Sequence, residues 1–329
     1  MRISRLELAF PEGAPGRALA LGADGAEDLS PFDHAQALIV EGMAQHYDAL
    51  KARGFNVATK PEGQFDTVLV TLPRARVAAR ARIAEAAAHL APGGALWIDG
   101  QKTDGIEATL KEIKALGGIS DTQSKAHGKI ARVDDPSRIP AEWAARELSP
   151  APGFITRPGV FSAESVDPGS AMLAAALPEK LPTRIVDLGA GWGWLSAQIL
   201  TRPGIVRLHL VEADHTALEC ARANITDPRA MFHWADARSF RLPEPVNGVI
   251  MNPPFHEGRA ADPGLGAAFI KAAAGLLTTA GRLWMVANRH LPYEAELTQH
   301  FSEVSEIGGD NRFKVLTATG AGARNRRTR

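Results

Sequence analysis

The stretch Asp187-Leu-Gly-Ala-Gly-Trp-Gly193 decides the fold of this chain of 329 residues. It follows the apolar run Arg184-Ile-Val-Asp187 and precedes the helical pattern Trp194-Leu-Ser-Ala-Gln-Ile-Leu200. A strand, a glycine turn and a helix in this order open a nucleotide-type α/β unit, because glycines let the backbone approach a ligand closely. The stretch therefore predicts an α/β fold with a ligand at the turn. A nicotinamide dinucleotide remains one alternative for that ligand.

A second short stretch, Asn252-Pro-Pro-Phe255, ends the predicted strand Gly248-Val-Ile-Met251. Parallel strands end at one edge of a sheet, so both stretches are expected to border the same crevice. The side-chain oxygen of Asn252 and the carbonyl of Pro253 can accept hydrogen bonds from a planar amine, and Phe255 can stack on a base. Such acceptors favour the positive charge that develops when the amine is alkylated. These three residues are the catalytic candidates, although an Asn in this position can also simply cap a turn.

Several further motifs accompany these two stretches in a fixed order. They are Pro158-Gly-Val-Phe-Ser162, Asp167-Pro-Gly-Ser170, Asn252-Pro-Pro-Phe-His-Glu-Gly258, Ala287-Asn288, Leu291-Pro-Tyr293 and Arg312-Phe-Lys-Val315. Together they resemble the RsmC/RlmG family of ribosomal RNA (guanine-N2)-methyltransferases, in which the glycine turn and Asn-Pro-Pro-Phe look like motifs I and IV of the class I methyltransferases. The resemblance covers essentially the whole second half of the chain.

The resemblance implies S-adenosylmethionine as the cofactor, with neither a metal nor a protein nucleophile in the reaction. The cofactor-binding candidates are Asp187, Gly189, Gly191, Gly193, Glu212 and Asp236. Glu212 ends a predicted strand and can accept both ribose hydroxyls. Asp236 is placed like the family's acid that bonds the adenine amino group, and Phe161 lies in a loop that the family places near the cofactor.

The implied activity is methylation of the exocyclic N2 of a guanine in ribosomal RNA, most simply that of the small subunit. Methylation of adenine N6 or of a protein glutamine remains an alternative, since Asn-Pro-Pro-aromatic serves all three planar nitrogens. The resemblance at His256-Glu-Gly258 and Leu291-Pro-Tyr293 favours guanine. A non-catalytic ribosome-assembly or RNA-binding factor is the alternative of another class, which the retained acids and Asn252 disfavour.

The first half of the chain repeats the pattern of the second. Phe65 to Arg74 lines up with Val246 to Phe255, and Leu90 to Trp97 lines up with Leu277 to Trp284. Thr71 stands where Asn252 stands in the second copy. We therefore predict two tandem class I methyltransferase (Rossmann-like) domains, the first degenerate, with boundaries at 1–149 and 150–329 in a proline-rich segment. The resemblance implies that the first aids folding or RNA binding.

The local pattern of the first half predicts a strand at Arg17–Leu21, a helix from His34 to Arg53 that Gly54 ends, and a strand at Phe65–Val70. In the second half, Gly169-Ser170 predicts the start of a helix that runs through Leu177.

Composition sets the remaining expectations. The chain is 45% hydrophobic and 22% charged, as is usual for a soluble globular protein, and its 37 basic and 37 acidic residues give no net charge. A zero net charge disfavours broad nucleic-acid affinity, although the tail Arg324–Arg329 is locally basic. The lone Cys220 and the absence of a signal peptide or long apolar run favour the cytoplasm and exclude a disulfide framework. We expect a monomer that acts on ribosomal RNA or a ribosomal subunit, without a membrane.

Overall fold

The computed structural model describes residues 4–254, 256–257, 260–261 and 263–322. The chain divides into two compact units, of which one comprises Met1–Glu147 and Arg157–Gly159 and the other Leu148–Thr156 and Val160–Arg329. The chain passes between the units inside the proline-rich segment of the predicted boundary. The domain limits of 1–149 and 150–329 stay a prediction.

The N-terminal unit is an α/β unit with a mixed sheet. Its strands are β1 Ala18–Leu21, β2 Ala37–Val40, β3 Asn56–Ala58, β4 Phe65–Thr71, β5 Leu90–Gln101, β6 Ile119–Lys125 and β7 Gly128–Val133. Its helices are α1 Arg5–Ala9, α2 Ala44–Ala52, α3 Arg76–Ala88 and α4 Ile106–Leu116. Within the described residues the strands form one seven-stranded sheet in the order β3-β2-β1-β4-β5-β7-β6. The first five strands pair in parallel, and β7 runs antiparallel to both β5 and β6.

The C-terminal unit has the same plan. Its helices are α5 Pro168–Ala176, α6 Trp194–Leu200, α7 His215–Asn224, α8 Pro263–Leu276 and α9 Tyr293–His300. Its strands are β8 Arg184–Leu188, β9 Arg207–Glu212, β10 Ala230–Trp234, β11 Val246–Met251, β12 His256–Glu257, β13 Ala260–Ala261, β14 Leu277–Asn288, β15 Glu303–Gly309 and β16 Phe313–Thr319. In the described part of the chain, seven of these strands form a sheet in the order β10-β9-β8-β11-β14-β16-β15, and β12 pairs with β13. The predicted fold class is confirmed.

The pairing registers of the two sheets agree with the predicted repeat. Phe65 of β4 lies opposite Leu90 of β5, and Val246 of β11 lies opposite Leu277 of β14. In both pairs the register shifts directly after this point. The two sheets therefore share a local irregularity as well as a strand order, which a common duplicated unit accounts for.

The registers also identify the positions at which the two units differ. Ala20 of β1 lies opposite Leu69 of β4, and Asp187 of β8 lies opposite Ile250 of β11. Leu69 and Ile250 are equivalent in the repeat, so Ala20 occupies the position of Asp187. Thr71, the last residue of β4, occupies the position of Asn252, which comes directly after β11 in the C-terminal unit. The N-terminal unit therefore keeps the backbone frame without these two polar side chains.

The predicted helix from His34 to Arg53 is wrong over its first half. Ala37–Val40 is the strand β2, and the helix α2 begins only at Ala44. The two β-branched residues that end the run Ala37-Leu-Ile-Val40 favour a strand. Pairing with β1 and β3 on its two sides then satisfies the backbone of β2 as a strand.

The corrected strand reveals an acid that the sequence comparison overlooked. Glu41 follows β2 at the position that Glu212 occupies at the end of β9, as the pairings of β1 with β2 and of β8 with β9 place it. Glu41 is buried, and its carboxylate accepts a hydrogen bond from the Met43 amide at 2.6 Å, as the Glu212 carboxylate does from the Asp214 amide at 2.8 Å. The N-terminal copy therefore keeps one of the acids of the second copy.

The core of the C-terminal unit lies on both faces of its sheet. Val186 and Leu188 belong to one buried cluster, together with residues of α8 and α9, whereas Ile185 belongs to a second cluster with residues of α5 and α6. This division follows from the alternation of side chains along a strand. No helix in the described part of the chain is long and apolar enough to cross a bilayer.

A buried ion pair holds the start of the N-terminal unit. Arg5 of α1 donates from Nε and Nη2 to the two carboxylate oxygens of Asp99 in β5, at 2.7 and 2.9 Å. Asp99 is only 3% exposed. Removing one partner of such a pair leaves a buried charge without compensation, which costs far more than breaking an exposed pair.

Arg5→Ala is expected to lower the free energy of unfolding of the N-terminal unit by about 3 kcal/mol, because it leaves the buried Asp99 carboxylate without its partner. The exposed pair between Lys129 and Glu107, at 3.3 Å, provides the control, and Lys129→Ala is expected to cost less than about 1 kcal/mol. Urea unfolding, monitored through hydrogen exchange of the β5 amides, measures the loss of free energy of unfolding in both variants. Equal effects of the two substitutions would contradict the structural role of the pair.

Candidate cofactor and methyl-acceptor site

The glycine turn joins β8 to α6 through a backbone that requires glycine. Gly193 has a φ of +89°, and a Cβ there would lie 2.8 Å from Cδ1 of Ile225. A Cβ at Gly191, by contrast, would meet nothing within 4 Å. The turn is therefore packed against the protein at Gly193 and open at Gly191, as a backbone that receives a ligand must be.

Hydrogen bonds fasten this turn to the neighbouring strand β9. The amides of Gly189 and Ala190 both donate to the Val211 carbonyl, at 2.9 and 3.0 Å. The Gly191 amide donates to Oε2 of Glu212 at 2.8 Å. Glu212 and the glycine turn are therefore directly connected at the carboxyl edge of the sheet.

The Glu212 carboxylate is held on both of its oxygens. Its Oε1 accepts from the Asp214 amide and its Oε2 from the Gly191 amide, each at 2.8 Å. Each carboxylate oxygen has a second lone pair, so the group can still accept from a diol. Burial raises the pKa of the Glu212 carboxyl to about 6, against the lowering effect of these backbone hydrogen bonds.

Asp187 is a buried acid at the end of β8. It is fully buried, and its Oδ2 accepts from the Ser196 hydroxyl of α6 at 2.6 Å. Among the described residues, no donor contacts its buried Oδ1. Burial raises the pKa of the Asp187 carboxyl to about 7, the Ser196 hydrogen bond lowers it, and the negative charge of Glu212 raises it further.

Asp236 lies in the turn after β10 and is paired with Arg238. Arg238 Nε lies 2.9 Å from each carboxylate oxygen, and the Arg238 amide also donates to Oδ1 at 2.9 Å. The arginine therefore takes up much of the acceptor capacity that an adenine amino group would need. Its contact with adenine stays a prediction.

Asn252 follows β11 and is held by two residues at the start of α5. Its Nδ2 donates to Oδ2 of Asp167 and to Oγ of Ser170, both at 2.8 Å. Both N–H groups of the amide are therefore used. Its Oδ1 is the atom left to accept a hydrogen bond from a substrate, because among the described residues no donor contacts it.

One cavity connects this amide with the glycine turn. Its lining residues are Phe161, Ser162, Asp167, Ser170, Gly189, Ala190, Gly191, Trp192, Trp194, Leu195 and Asn252. Phe161 is 63% exposed at this cavity, which is consistent with the predicted place of its loop near the cofactor. A ligand at the turn would therefore lie beside the Asn252 amide.

The loop that contributes Phe161 is fastened to the turn by residues that the sequence analysis missed. The Trp192 indole donates to the Phe161 carbonyl at 3.1 Å. Asn224 at the end of α7 donates to the carbonyls of Trp192 and Ile155, both at 2.9 Å. No spacing in the sequence signals Asn224. For Asp167 and Ser170, the Asp-Pro-Gly-Ser helix start was a usable signal.

The remaining candidates are placed as follows. Pro253 is buried directly after Asn252. Phe255 and Gly258 lie outside the described residues, as do the side chains of His256 and Glu257. Tyr293, which belongs to a motif whose family resemblance predicts guanine, is 2% exposed in the core and packs against Gly266 of α8. It therefore supports the helix that follows the Asn252 segment.

Two family descriptions match this chain. Methyltransferase small domain matches residues 152–317, which is half of the chain, and Methyltransferase small domain N-terminal matches residues 30–129. The two matches fall in the C-terminal and N-terminal units, respectively.

Relatives and a solved structure match over most of the length. The chain is 30% identical to ribosomal RNA small subunit methyltransferase C of Pseudomonas paraeruginosa, over 93% of this chain and 94% of the relative. It is 31% identical to the protein of the same name from Shewanella halifaxensis, over 77% of each chain. T. thermophilus 16S rRNA N2 G1207 methyltransferase (RsmC), in complex with AdoMet and guanosine, has the same fold. Its TM-score is 0.78 at 24% identity, over 96% of this chain and 91% of that one.

The buried carboxyl group predicts a pH-dependent stability. Because the pKa of Asp187 in the folded protein is about 7 rather than 3.8, the folded state keeps a proton that the unfolded chain releases. The free energy of unfolding therefore falls as the pH rises from about 4 to 7. Asp187→Asn removes this titration, so the variant should gain roughly 2–3 kcal/mol relative to the parent protein between pH 5 and pH 8. Denaturant unfolding of the C-terminal unit without ligand measures the difference.

Asp227→Asn is the matched control for this experiment. Asp227 bonds Arg229, which lowers the pKa of that carboxyl to about 2, so it does not titrate between pH 5 and 8. Its stability difference from the parent protein should be independent of pH in that range. A difference for Asp187→Asn that is equally constant would contradict the raised pKa.

Proposed function

Since the chain belongs to the ribosomal RNA small subunit methyltransferase C family, we propose that it transfers a methyl group from S-adenosylmethionine to the exocyclic N2 of a guanine in small-subunit ribosomal RNA. The observation that carries the proposal is the cavity lined by both the glycine turn and Asn252. A cofactor at Gly191 and an amine at the Asn252 amide would meet in this cavity. The enzyme is proposed to act in the cytoplasm as a monomer.

The residues of the turn suit S-adenosylmethionine, which supplies an activated methyl group when bound. The open space at Gly191 accepts a ligand against the backbone, and the remaining lone pairs of Glu212 can accept from ribose hydroxyls. The buried Oδ1 of Asp187, with no donor among the described residues, is an acceptor for the cofactor's ammonium group or a bridging water. Gly189 and Gly193 shape the turn, and Asp236 is assigned to the adenine amino group.

On the acceptor side, the amide of Asn252 supports the developing charge. An exocyclic amine is a poor nucleophile because its lone pair is delocalised into the ring. The Oδ1 of Asn252 and the carbonyl of Pro253 would accept its two N–H groups and so stabilise positive charge on nitrogen. Phe255 is assigned to stacking on the base, and position supplies most of the remaining rate.

Proton removal needs no residue of this chain. The amine becomes acidic once it is alkylated, and its proton can leave to water. Asn252 and the Pro253 carbonyl are not bases at neutral pH. His256 and Glu257 are therefore not assigned a catalytic role.

The choice of guanine N2 rests on the relatives rather than on the amide alone. Asn252 and Pro253 would accept from any planar amine, including adenine N6 and a glutamine amide. The solved relative with the same fold is named as an N2 methyltransferase of 16S rRNA, and the curated relatives as small-subunit enzymes. The motifs that resemble the guanine-specific family point the same way.

The product tests the proposal. The purified chain, labelled S-adenosylmethionine and either 30S subunits or free 16S rRNA from a strain that lacks the protein are incubated, digested and separated by chromatography. N2-methylguanosine is expected to carry the label. Label in N6-methyladenosine or in a protein glutamine would overturn the base assignment, and no label in any substrate would favour the non-catalytic alternative.

A second prediction concerns the number of cofactor sites. The full chain should bind one S-adenosylmethionine, because the N-terminal unit has Ala20 in place of Asp187 although it keeps Glu41. Glu212→Gln should weaken the affinity about tenfold, equivalent to 1.4 kcal/mol. Glu41→Gln, the matched substitution in the other unit, should leave it unchanged. Calorimetry with two comparable sites would contradict the degenerate first copy.

A further inference from the structure

The start of α5 brings a carboxylate against the amide of Asn252, 85 residues away in sequence. We propose that Asp167 is a positioning residue for methyl transfer, which fixes the Asn252 amide with its oxygen towards the acceptor amine and increases the negative charge on that oxygen. This inference rests on the proposed function of Asn252. It assigns to Asp167 a task beyond capping a helix.

The hydrogen bonds of Asn252 fix the orientation of its amide. An asparagine amide can turn by 180°, which would present its NH2 group to the substrate. An NH2 group would repel an amine that carries two N–H donors. Asp167 Oδ2 and Ser170 Oγ each accept one N–H of Asn252 at 2.8 Å, and the carboxylate can only accept. The flipped amide would place two acceptor oxygens together, so one orientation is strongly preferred.

The charge of Asp167 also acts on the Asn252 oxygen. A hydrogen bond from an amide to a carboxylate is stronger than one between neutral groups. Hydrogen bonds in series polarise one another, so the N–H of Asn252 that bonds Asp167 makes the Asn252 oxygen a better acceptor. The effect is larger in a partly enclosed site than in water. Positive charge on the alkylated amine is therefore stabilised by Asp167 through Asn252.

Asp167 is itself held in a fixed position. It is the N-cap of α5, where its Oδ2 accepts from the Ser170 amide at 2.7 Å and Pro168 occupies the first helical position. Ser170 thus donates to Asp167 through its backbone and accepts from Asn252 through its side chain. Three groups form a closed set of hydrogen bonds. The helix start holds the carboxylate at one place relative to β11.

The test exchanges the acid and the amide. Asn252→Asp alone sets two carboxylates against each other and should lower kcat at pH 8 about 100-fold, comparable to loss of a group that stabilises transition-state charge. Adding Asp167→Asn removes one of the two carboxylates and so relieves this repulsion, while the Asn oxygen can still accept from the Ser170 amide. The kcat of the double variant should be at least about tenfold higher than that of Asn252→Asp. A double variant no faster than Asn252→Asp would overturn the proposal.

The single variant Asp167→Asn separates positioning from capping. Asparagine caps a helix as well as aspartate does, so the unfolding temperature should stay the same. The kcat should fall about tenfold because the charge is lost, whereas the Kd for S-adenosylmethionine should change less than threefold. A weakened cofactor with unchanged kcat would overturn the proposal by showing that Asp167 binds the cofactor. If the double variant does not fold, this single variant decides the matter, and an unchanged kcat would refute the proposal.

Asp227→Asn serves as the control for charge removal within the same unit. Asp227 caps a turn by accepting from the Arg229 amide at 2.9 Å, and it does not line the cavity. Its kcat should equal that of the parent protein. The product of each variant is identified by chromatography. A different methylated nitrogen would refute the proposed substrate, whereas the ratio of kcat between each variant and the parent protein would still test the role of Asp167.

Discussion

The parallel hydrogen bonding of a central strand with one neighbour on each side is the constraint on which both units depend. In the C-terminal unit, β8 lies between β9 and β11, so the residues at their carboxyl ends meet at one edge. This brings Asp187, Glu212 and Asn252 together although 65 residues separate the first from the last. In the N-terminal unit, the equivalent registers of β1 with β2 and β4 hold the same frame around different side chains.

The two units differ in how they use the polar edge of this frame. The C-terminal unit keeps a fully buried carboxyl at Asp187 with one oxygen that no described donor contacts, which lowers stability. The N-terminal unit has Ala20 at that place. There the guanidinium of Arg82 packs on Gly22 and donates to the Thr71 carbonyl at 2.7 Å. Internal contacts thus replace the open turn of the other copy.

The parts of the site that adjacent residues define can be predicted from the sequence. The parts that depend on strand pairing or on contacts between distant residues cannot. The glycine turn and Asn252 were recognisable because each directly ends a strand. The four apolar residues of β2 fit either a helix or a strand, so the sequence pattern predicts a helix there and hides Glu41. The contact of Asn252 with Asp167 joins residues 85 apart, and no periodicity reports it. The residue roles assigned to Glu212 and Asp236 stay predictions.

The choice of a neutral amide at position 252 follows from the charge beside it. Asp167 already provides a carboxylate 2.8 Å from the Asn252 nitrogen. A second carboxylate at 252 would repel the first. The amide uses both of its N–H groups internally, and in the proposed role it would pass the effect of one charge to the substrate side. The identity of residue 252 and that of residue 167 are therefore linked, and the N-terminal unit, with Thr71 at the equivalent place, has no amide through which an acid could act in this way.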